Sequence, residues 1–415
     1  MTTPRVADDF VPATAAELQR FLAENAAGSR ERLCPVGGRT ALHYGIGHPS
    51  CRRLDLRDLS KVIDYPARDM TVTVEAGIRI AALQKLLATE RQQLPIDIAQ
   101  PERATLGGSL ATNTSGPRRF GAGTFRDYVI GITGITANGQ LFHGGGRVVK
   151  NVAGYDLCKL LVGSRGALAV VTQVTLKLRP LPEAMAWWWI TFDTFAEVEN
   201  VLERLLTSAT RPSAIELLNP LAAKLVSTAA RLPLPANGPV LAIAVEGTAH
   251  EVEWQLAALR KEVVPFGVQH LEILREAAAT TLLDTLTEFP VCADDPLTFQ
   301  ANLRPSKCVD FVEEAARLGV AVQCHAGNGL VIGQLPEETA TVEQATTLLT
   351  PLRQRAREAE GNLQVLHCDA EWKAGLPMCG DPEPAWPLMD RVKQQLDPHG
   401  LLNPLPFVAH DRRGP

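Results

Sequence analysis

Two stretches of the chain set paired glycines among hydroxyl, amide and guanidinium side chains. They are PVGGRTALHYG at residues 35–45 and PERATLGGSLATNTSGPRRFGAGTFRD at residues 101–127. Successive backbone N–H groups in such loops form a concave anion-binding nest, and a nearby arginine supplies countercharge for a pyrophosphate. Glycine is concentrated in this part of the chain, with 14 of 32 lying between Gly107 and Gly166. Glycine tolerates positive φ and lets backbone approach a ligand closely, so the concentration suggests a phosphate or cofactor cradle. Turn glycines in a loop-rich β segment would give the same density.

Other common chemistries lack their residues. The sequence contains no G-x-x-x-x-G-K-[ST] loop, no G-x-S-x-G elbow and no H-E-x-x-H helix. GNGLVIG, residues 327–333, has Rossmann-like spacing, but its glycines precede an apolar strand rather than opening a helix, so it reads as a hairpin turn. The eight cysteines stand at 34, 51, 158, 292, 308, 324, 368 and 379, and no two are separated by two or three residues. Zinc ribbons and ferredoxin-type clusters need close thiolates, so these read as reduced thiols packed singly, and no metal site is expected.

The elements that must hold the glycine loops alternate short strands and helices. TAAELQRFLAEN places Leu18, Phe21 and Leu22 on one helical face, with Thr14 and Glu17 as a capping box. TVTVEAG alternates as a strand, IRIAALQKLLATE reads as a helix, and VTLKLRP is a strand that stops at Pro180 and Pro182, a domain boundary. Beyond it, WWWITF, AIELL, VLAIAVEG, FQANLR, AVQCHAG, LVIGQL and LQVLHC read as strands separated by helices such as FAEVENVLERLLTS and KCVDFVEEAARLG. That order suits an α+β domain with helices on one face of a largely antiparallel sheet. WPLMDRVKQQL reads as a final helix stopped by DPHG.

Composition narrows the partners. With 41 basic and 46 acidic residues the chain carries a net charge of −5, which gives no bulk reason to bind nucleic acid or anionic lipid. No apolar run approaches a membrane span, and the N-terminus lacks a secretory h-region, so a cytoplasmic location is expected.

Taken together, TLGGSLATNTSGPRRFGAGTFRDYVIGI, ITANGQLF and GGRVVKNVAGYDLCKLLVGSRGALAVVTQVTLKLRP resemble the FAD-binding domain of the vanillyl-alcohol oxidase / p-cresol methylhydroxylase (PCMH-type) flavoprotein superfamily. The last string is most similar to one branch, the FAD-binding subunit of bacterial glycolate oxidase. VKQQLDPHGLLNP is similar to the family's closing D-P-x-G-x-x-N-P signature. The resemblance implies an α+β fold with a two-subdomain FAD domain at 1–182. An α+β, ferredoxin-like and largely antiparallel cap would follow at 183–385, and a C-terminal helix and tail at 386–415 would pack on the FAD domain. It implies that Gly37, Gly38, Arg39 and Thr40 cradle the FAD pyrophosphate and that Thr105, Gly107, Gly108 and Ser109 begin the second loop. Asn113, Thr114 and Ser115 would bond ribityl or ring atoms, and Lys150, Asn151, Gly154, Tyr155 and Asp156 would form the K-N-x-A-G-Y-D element. Gly163, Ser164, Gly166 and Val171 would line the adenine and ribose side. Valine at Gly107 or Gly108 is then expected to empty the site without unfolding the chain.

Two departures shape the functional expectation. Arg39 stands where covalent relatives carry an attachment histidine, with His43 as the nearest imidazole, so dissociable FAD is expected. QCHAGNGLVIG resembles an H-x-G-D-G-N-x-H substrate and metal motif through His325, Gly327 and Gly329. Asn328 replaces its acidic residue and its second histidine is absent, which leaves His325 a weak catalytic candidate and otherwise structural. The resemblance implies the FAD subunit of a complex oxidising glycolate to glyoxylate, working with a second flavin subunit and an iron–sulfur subunit. Any membrane association would be made through that complex. The alternatives are a self-sufficient D-2-hydroxy-acid (D-lactate type) dehydrogenase and a flavin-fold assembly subunit without turnover. WWWITF is read either as buried strand core or as a docking surface for a partner.

Overall fold

The computed structural model describes residues 9–41, 51–146, 155–291 and 296–403. The chain forms two units. The first comprises Met1–Thr114, Thr124–Leu181 and Pro382–Pro415, and the second comprises Ser115–Gly123 and Pro182–Asp381.

The first unit opens with α1 (Ala15–Ala27), where the Thr14 hydroxyl accepts from the Glu17 N–H at 3.2 Å. The Glu17 carboxylate reaches one residue further back than a standard box and accepts from Ala13 N–H at 2.9 Å. Parallel strands β1 (Leu33–Val36) and β2 (Arg52–Asp55) lie beside it, and Leu18, Leu22, Leu33 and Leu54 share one core. The chain continues through β3 (Val62–Asp64), β4 (Thr71–Glu75), α2 (Ile80–Ala88), β5 (Gln92–Gln93) and α3 (Leu106–Thr112). After α4 (Arg119–Ala122), which belongs to the second unit, come α5 (Phe125–Tyr128), β6 (Val129–Ile135), β7 (Leu141–Gly145), α6 (Leu157–Leu161), β8 (Val170–Lys177) and β9 (Arg179–Pro180).

An antiparallel sheet of order β3-β4-β8-β6-β7 carries the unit, and β5 pairs with β9 beside it. The β-branched run TVTVE lies between two partners with every residue buried. Thr73 and Thr175 sit opposite each other and share a hydrogen bond of 2.9 Å, a cross-strand pair that holds the register.

The second unit runs β10 (Ala184–Thr191), α7 (Phe195–Leu205), β11 (Ala214–Leu218), α8 (Pro220–Ala230), β12 (Val240–Gly247), α9 (Ala249–Val263), β13 (His270–Arg275) and α10 (Glu276–Glu288). It continues with β14 (Leu297–Asn302), α11 (Cys308–Arg317), β15 (Ala321–His325), β16 (Leu330–Gln334), α12 (Val342–Glu358) and β17 (Asn362–Cys368). The eight strands form one antiparallel sheet of order β13-β10-β12-β11-β15-β16-β14-β17. GNGLVIG lies where the hairpin reading puts it, with Gly329 at φ +69° closing the β15–β16 turn.

Helices cover both faces of this sheet, not one. Trp187, Trp189, Ala242, Ala244, Ala214 and Leu218 pack with α8 and α10, while α9, α11 and α12 lie against the strands from the other side, where Trp188, Ile243, Leu217 and Cys324 are fully buried. The sequence reading missed α8 and α10 because their small and threonine-rich stretches, PLAAKLVSTAA and EAAATTLLDTLTE, show no wide apolar stripe. All three tryptophans of WWWITF are fully buried, so the run is strand core and offers no docking surface. Burial raises the Cys324 thiol well above its ordinary value, and the neighbouring Cys308 adds to the shift. The seven described cysteines are all free.

The final helix, α13 (Trp386–Leu396), returns to the first unit. Buried Lys393 donates to Asp397 at 2.5 Å and to the carbonyl of Ala167 at 2.7 Å, and Asp397 accepts the N–H groups of Leu401 and Leu402. The aspartate and asparagine of the D-P-x-G-x-x-N-P signature therefore act as ties. Asn403 Nδ2 donates to the Arg165 carbonyl at 2.8 Å, and the Leu401 carbonyl accepts from Leu33 N–H at 2.6 Å, at the strand that enters the first glycine loop.

Candidate functional site

The glycines of the first unit bring two loops into contact. A β-carbon on Gly37 would overlap the Thr105 hydroxyl, and one on Gly38 would overlap the carbonyl oxygen of Arg103. Glycine is required there for close approach of chain to chain. Arg39 follows at φ +60°, and the N–H groups of Gly37, Gly38 and Thr40 meet no acceptor among the described residues. Thr105 caps α3, and its Oγ1 accepts weakly from Gly108 N–H at 3.4 Å.

Three expectations change at this point. The Arg39 guanidinium is buried against Asp9 and Asp55, 3.1 Å from the latter, so its charge is already neutralised and only its backbone is placed to serve a phosphate. Gly107 donates its N–H to the Ala76 carbonyl at 2.7 Å, and its missing β-carbon faces the Ala76 Cβ at 2.8 Å. Valine at Gly107 would therefore push α3 off the end of β4 and disturb the fold itself. Gly108 is different, since only the Thr105 hydroxyl, at 3.2 Å, lies near its open side.

The remaining candidates are spread around the end of α3. Asn113 closes the helix at φ +53°, and its buried amide oxygen has no partner among the described residues. Gly163, at φ +81°, has only the Asn113 Cβ near its open side, and its N–H donates to the Leu110 carbonyl. Gly166, at φ +68°, lies against Pro35 and Asn403, which joins this turn to the first loop. Ser164 accepts from Ala167 N–H through its carbonyl, Ser109 is buried in α3, Thr114 bonds the Thr112 hydroxyl, and Val171 is buried in β8. Tyr155 is 96% exposed, and Asp156 caps α6 through Lys159 N–H at 3.0 Å, so neither side chain is gathered into this cluster. Lys150, Asn151, Gly154 and His43 lie outside the described residues. Ser115 belongs to the second unit, where its hydroxyl accepts from Arg119.

The second unit holds a separate polar cluster that the sequence reading largely missed. His325 and Glu216 are direct neighbours across β15 and β11, and His325 Nδ1–H donates to both Glu216 oxygens at 2.7 and 2.9 Å. Gln323 Nε2 donates to the same carboxylate at 2.7 Å. His325 is 2% exposed and Glu216 is fully buried, while His325 Nε2 and Gln323 Oε1 have no partner among the described residues. Arg119 on α4 stands by this carboxylate. Burial pulls its guanidinium below arginine's ordinary range, and the charge of Glu216 opposes that shift. A signal for Glu216 was present in AIELL, where a lone carboxylate interrupts an apolar strand and so requires a buried partner.

Comparison with known proteins decides the family. Residues 9–145 match a family model described as an FAD binding domain, and residues 181–406, more than half of the chain, match that of FAD linked oxidases, C-terminal domain. The chain belongs to the FAD-linked oxidase family. This FAD-linked oxidase is 26% identical to glycolate oxidase subunit GlcD of Bacillus subtilis (strain 168), over 93% of this chain and 84% of that one. It is 28% identical to a D-2-hydroxyglutarate dehydrogenase of Xanthomonas citri pv. viticola, over 91% of this chain and 84% of that one. Glycolate oxidase subunit GlcE of Escherichia coli (strain K12) is 38% identical over a shorter match, 34% of this chain and 40% of that one. In structure the oxidase is similar in fold to an alkyldihydroxyacetonephosphate synthase, with a TM-score of 0.67 and 18% identity, over 95% of this chain and 76% of that one.

FAD is the cofactor of this oxidase. The first unit fits it by its own chemistry. Among the described residues it offers N–H groups without an acceptor at Gly37, Gly38 and Thr40, an amide oxygen without a partner at Asn113, and open sides at Gly108 and Gly163. Among the described residues no three His, Cys, Asp or Glu side chains gather as a metal site, and no helix is long and apolar enough to cross a membrane.

Proposed function

We propose that this chain is the FAD-binding subunit of a complex that oxidises a small 2-hydroxy acid, glycolate, to the 2-oxo acid glyoxylate. The observation that carries the reading is the second unit's buried Glu216–His325 pair, with an Nε2 that has no partner among the described residues and an arginine beside it. Oxidation of a hydroxy acid needs an acceptor for the hydroxyl proton and a cation for the carboxylate, and these side chains are of those two kinds. Bound FAD supplies the two-electron acceptor. The glycolate oxidase subunits among the relatives favour glycolate within this class. With no closely spaced cysteines in the chain, electrons would pass to an iron–sulfur partner, alongside a second flavin subunit.

FAD is held without a covalent bond in this reading, by Gly37, Gly38, the Arg39 backbone, Thr40, Gly108 and Asn113. Acid or heat denaturation should release yellow flavin into the supernatant. Flavin that stays with the precipitated polypeptide would overturn the dissociable mode.

The function is tested by expressing the chain alone and with its two partner subunits, then following dye reduction with glycolate and with D-lactate. Glycolate-dependent turnover that requires the partners is the expected result. Full activity from the chain alone would instead favour a self-sufficient 2-hydroxy-acid dehydrogenase, a reading supported by the 91% coverage of this chain in the match to a D-2-hydroxyglutarate dehydrogenase.

A further inference from the structure

The glycine loops of the first unit ride on separate layers. β1, which enters the first loop, pairs with β2 in a two-stranded sheet of its own, while the turn at 163–167 leads into β8 of the five-stranded sheet. That turn is joined to α3 by two backbone bonds, from Gly163 N–H to the Leu110 carbonyl at 3.0 Å and from Arg165 N–H to the Ala111 carbonyl at 2.7 Å. The tail that follows α13 spans the two layers. The Leu401 carbonyl accepts from Leu33 N–H on β1 at 2.6 Å, and Asn403 Nδ2 donates to the Arg165 carbonyl of the turn at 2.8 Å. A β-carbon on Gly166 would stand 3.3 Å from the same Nδ2 and 3.6 Å from Pro35, so turn, tail and first loop meet at one point. Leu401 and Leu402 fill the core beneath, with Leu33 and Leu54 from the two-stranded sheet and Ile135 and Val170 from the other.

A buried charge pair fixes the path of this tail. Lys393 Nζ donates to Asp397 Oδ2 at 2.5 Å, to the Ala167 carbonyl at 2.7 Å and to the Leu402 carbonyl at 3.4 Å. Asp397 accepts Leu401 N–H at 2.9 Å and Leu402 N–H at 2.8 Å. Lys393 is 7% exposed and Asp397 2%. Burying two charges brings little net stability, because desolvation offsets most of their attraction, whereas breaking the pair leaves a buried charge unmatched. Such a pair holds one geometry against others. A ligand that touches both layers binds more tightly to a cradle already set, since it need not order the layers itself.

We propose that Asn403, held in place by the Lys393–Asp397 pair, is a positioning residue for FAD, and that the tail is a latch across the two layers whose closure and FAD binding strengthen one another. This rests on the reading that the first loop and the turn at 163–167 border the cofactor. The latch acts through Leu33, Arg165 and Ala167, which carry those loops, and needs no contact of its own with FAD. Coupling of two equilibria is reciprocal. The factor by which an open latch weakens FAD is the factor by which bound FAD disfavours opening of the latch.

The test uses the full-length chain, freed of FAD and titrated with it, and reads affinity by flavin fluorescence. Asn403→Ala removes the bond to the Arg165 carbonyl and should weaken FAD about tenfold, while the FAD-free variant unfolds in urea close to the native midpoint. Lys393→Met should weaken FAD further, and Lys393→Arg, which keeps the charge, should recover part of the loss. Hydrogen exchange of the native chain gives the reciprocal reading and needs no variant. In the FAD-free chain the Leu401 and Leu402 N–H groups should exchange faster than those of β8, the mark of local opening, and bound FAD should slow them about tenfold. Native FAD affinity in Asn403→Ala, or tail exchange that FAD leaves unchanged, would overturn the proposal, and both readings stand even if Lys393→Met fails to fold. Gly108→Ala separates the latch from the cradle it serves. If that variant loses FAD and Asn403→Ala keeps it, the cradle holds and the latch fails; the opposite pattern sinks the cradle assignment and leaves the coupling.

Discussion

Replacing Gly38 with alanine should yield a protein without FAD and with a markedly lower unfolding temperature. The added methyl would overlap the Arg103 carbonyl oxygen and reach within 3.0 Å of the Ala104 Cα, so one backbone must move away from the other. Overpacking of this kind costs about 1–3 kcal/mol, and here both neighbours are main chain, which cannot rotate out of the way. Gly108→Ala is the informative contrast. Its open side meets only the Thr105 hydroxyl, and alanine inside the first turn of α3 is favoured over glycine by up to about 1 kcal/mol. Stability should therefore hold or rise while FAD affinity falls. Equal FAD content in Gly108→Ala and the native protein would place the phosphate cradle elsewhere. Native stability in Gly38→Ala would show that the two loops are not pressed together.

The second large effect is expected at the buried ion network under the first loop. Arg39 pairs with both Asp9 and Asp55, and Arg57 also binds Asp55, at 2.6 Å. Burial alone would raise the Asp55 carboxyl. The side-chain and backbone hydrogen bonds of Arg57, with the charges of Arg57 and Arg39, outweigh it and hold the group below its ordinary value of 3.8. Arg39→Met leaves buried carboxylates short of a cation and should cost about 3–5 kcal/mol at pH 7. The sign of the pH dependence follows from the lowered value. The native protein holds this stabilisation above pH 3.8 and loses it as acid protonates Asp55 below that. The stability gap between Arg39→Met and the native protein, measured by urea unfolding, should be widest near neutrality and narrow on going below pH 3.8. A gap that stays constant over that range would mean the network contributes through packing alone.

Much of the first unit was legible in the sequence because its signals are local. The Thr14 cap, the alternation of TVTVE and the turn at Gly329 each depend on a few adjacent residues. The role of Arg39 was not legible, because its neutralising partners, Asp9 and Asp55, come from separate places in the chain. The same holds for Gly107, which looks like a ligand glycine until Ala76 is seen behind it. In the second unit the strands could be read from their apolar runs, whereas the Glu216–His325–Arg119 cluster could not. Its members lie on β11, β15 and α4, and only the sheet order places them together.

The excursion of Ser115–Gly123 into the second unit also sets a schedule for synthesis. Gly121 leaves the ribosome about ninety residues before Ser213, and Phe120 about two hundred before Gly327. At roughly 5–20 residues per second, the segment waits some seconds for the first partner and tens of seconds for the second. During that interval the first-unit chain that follows, Thr124–Leu181, is synthesised before the partners of the nine-residue stretch exist. Circular permutants that begin at residue 182 would reverse this order and emit the eight-stranded sheet before the segment it receives. Refolding yields of such permutants would then report whether the late docking of Phe120 and Gly121 limits how fast the nascent oxidase matures.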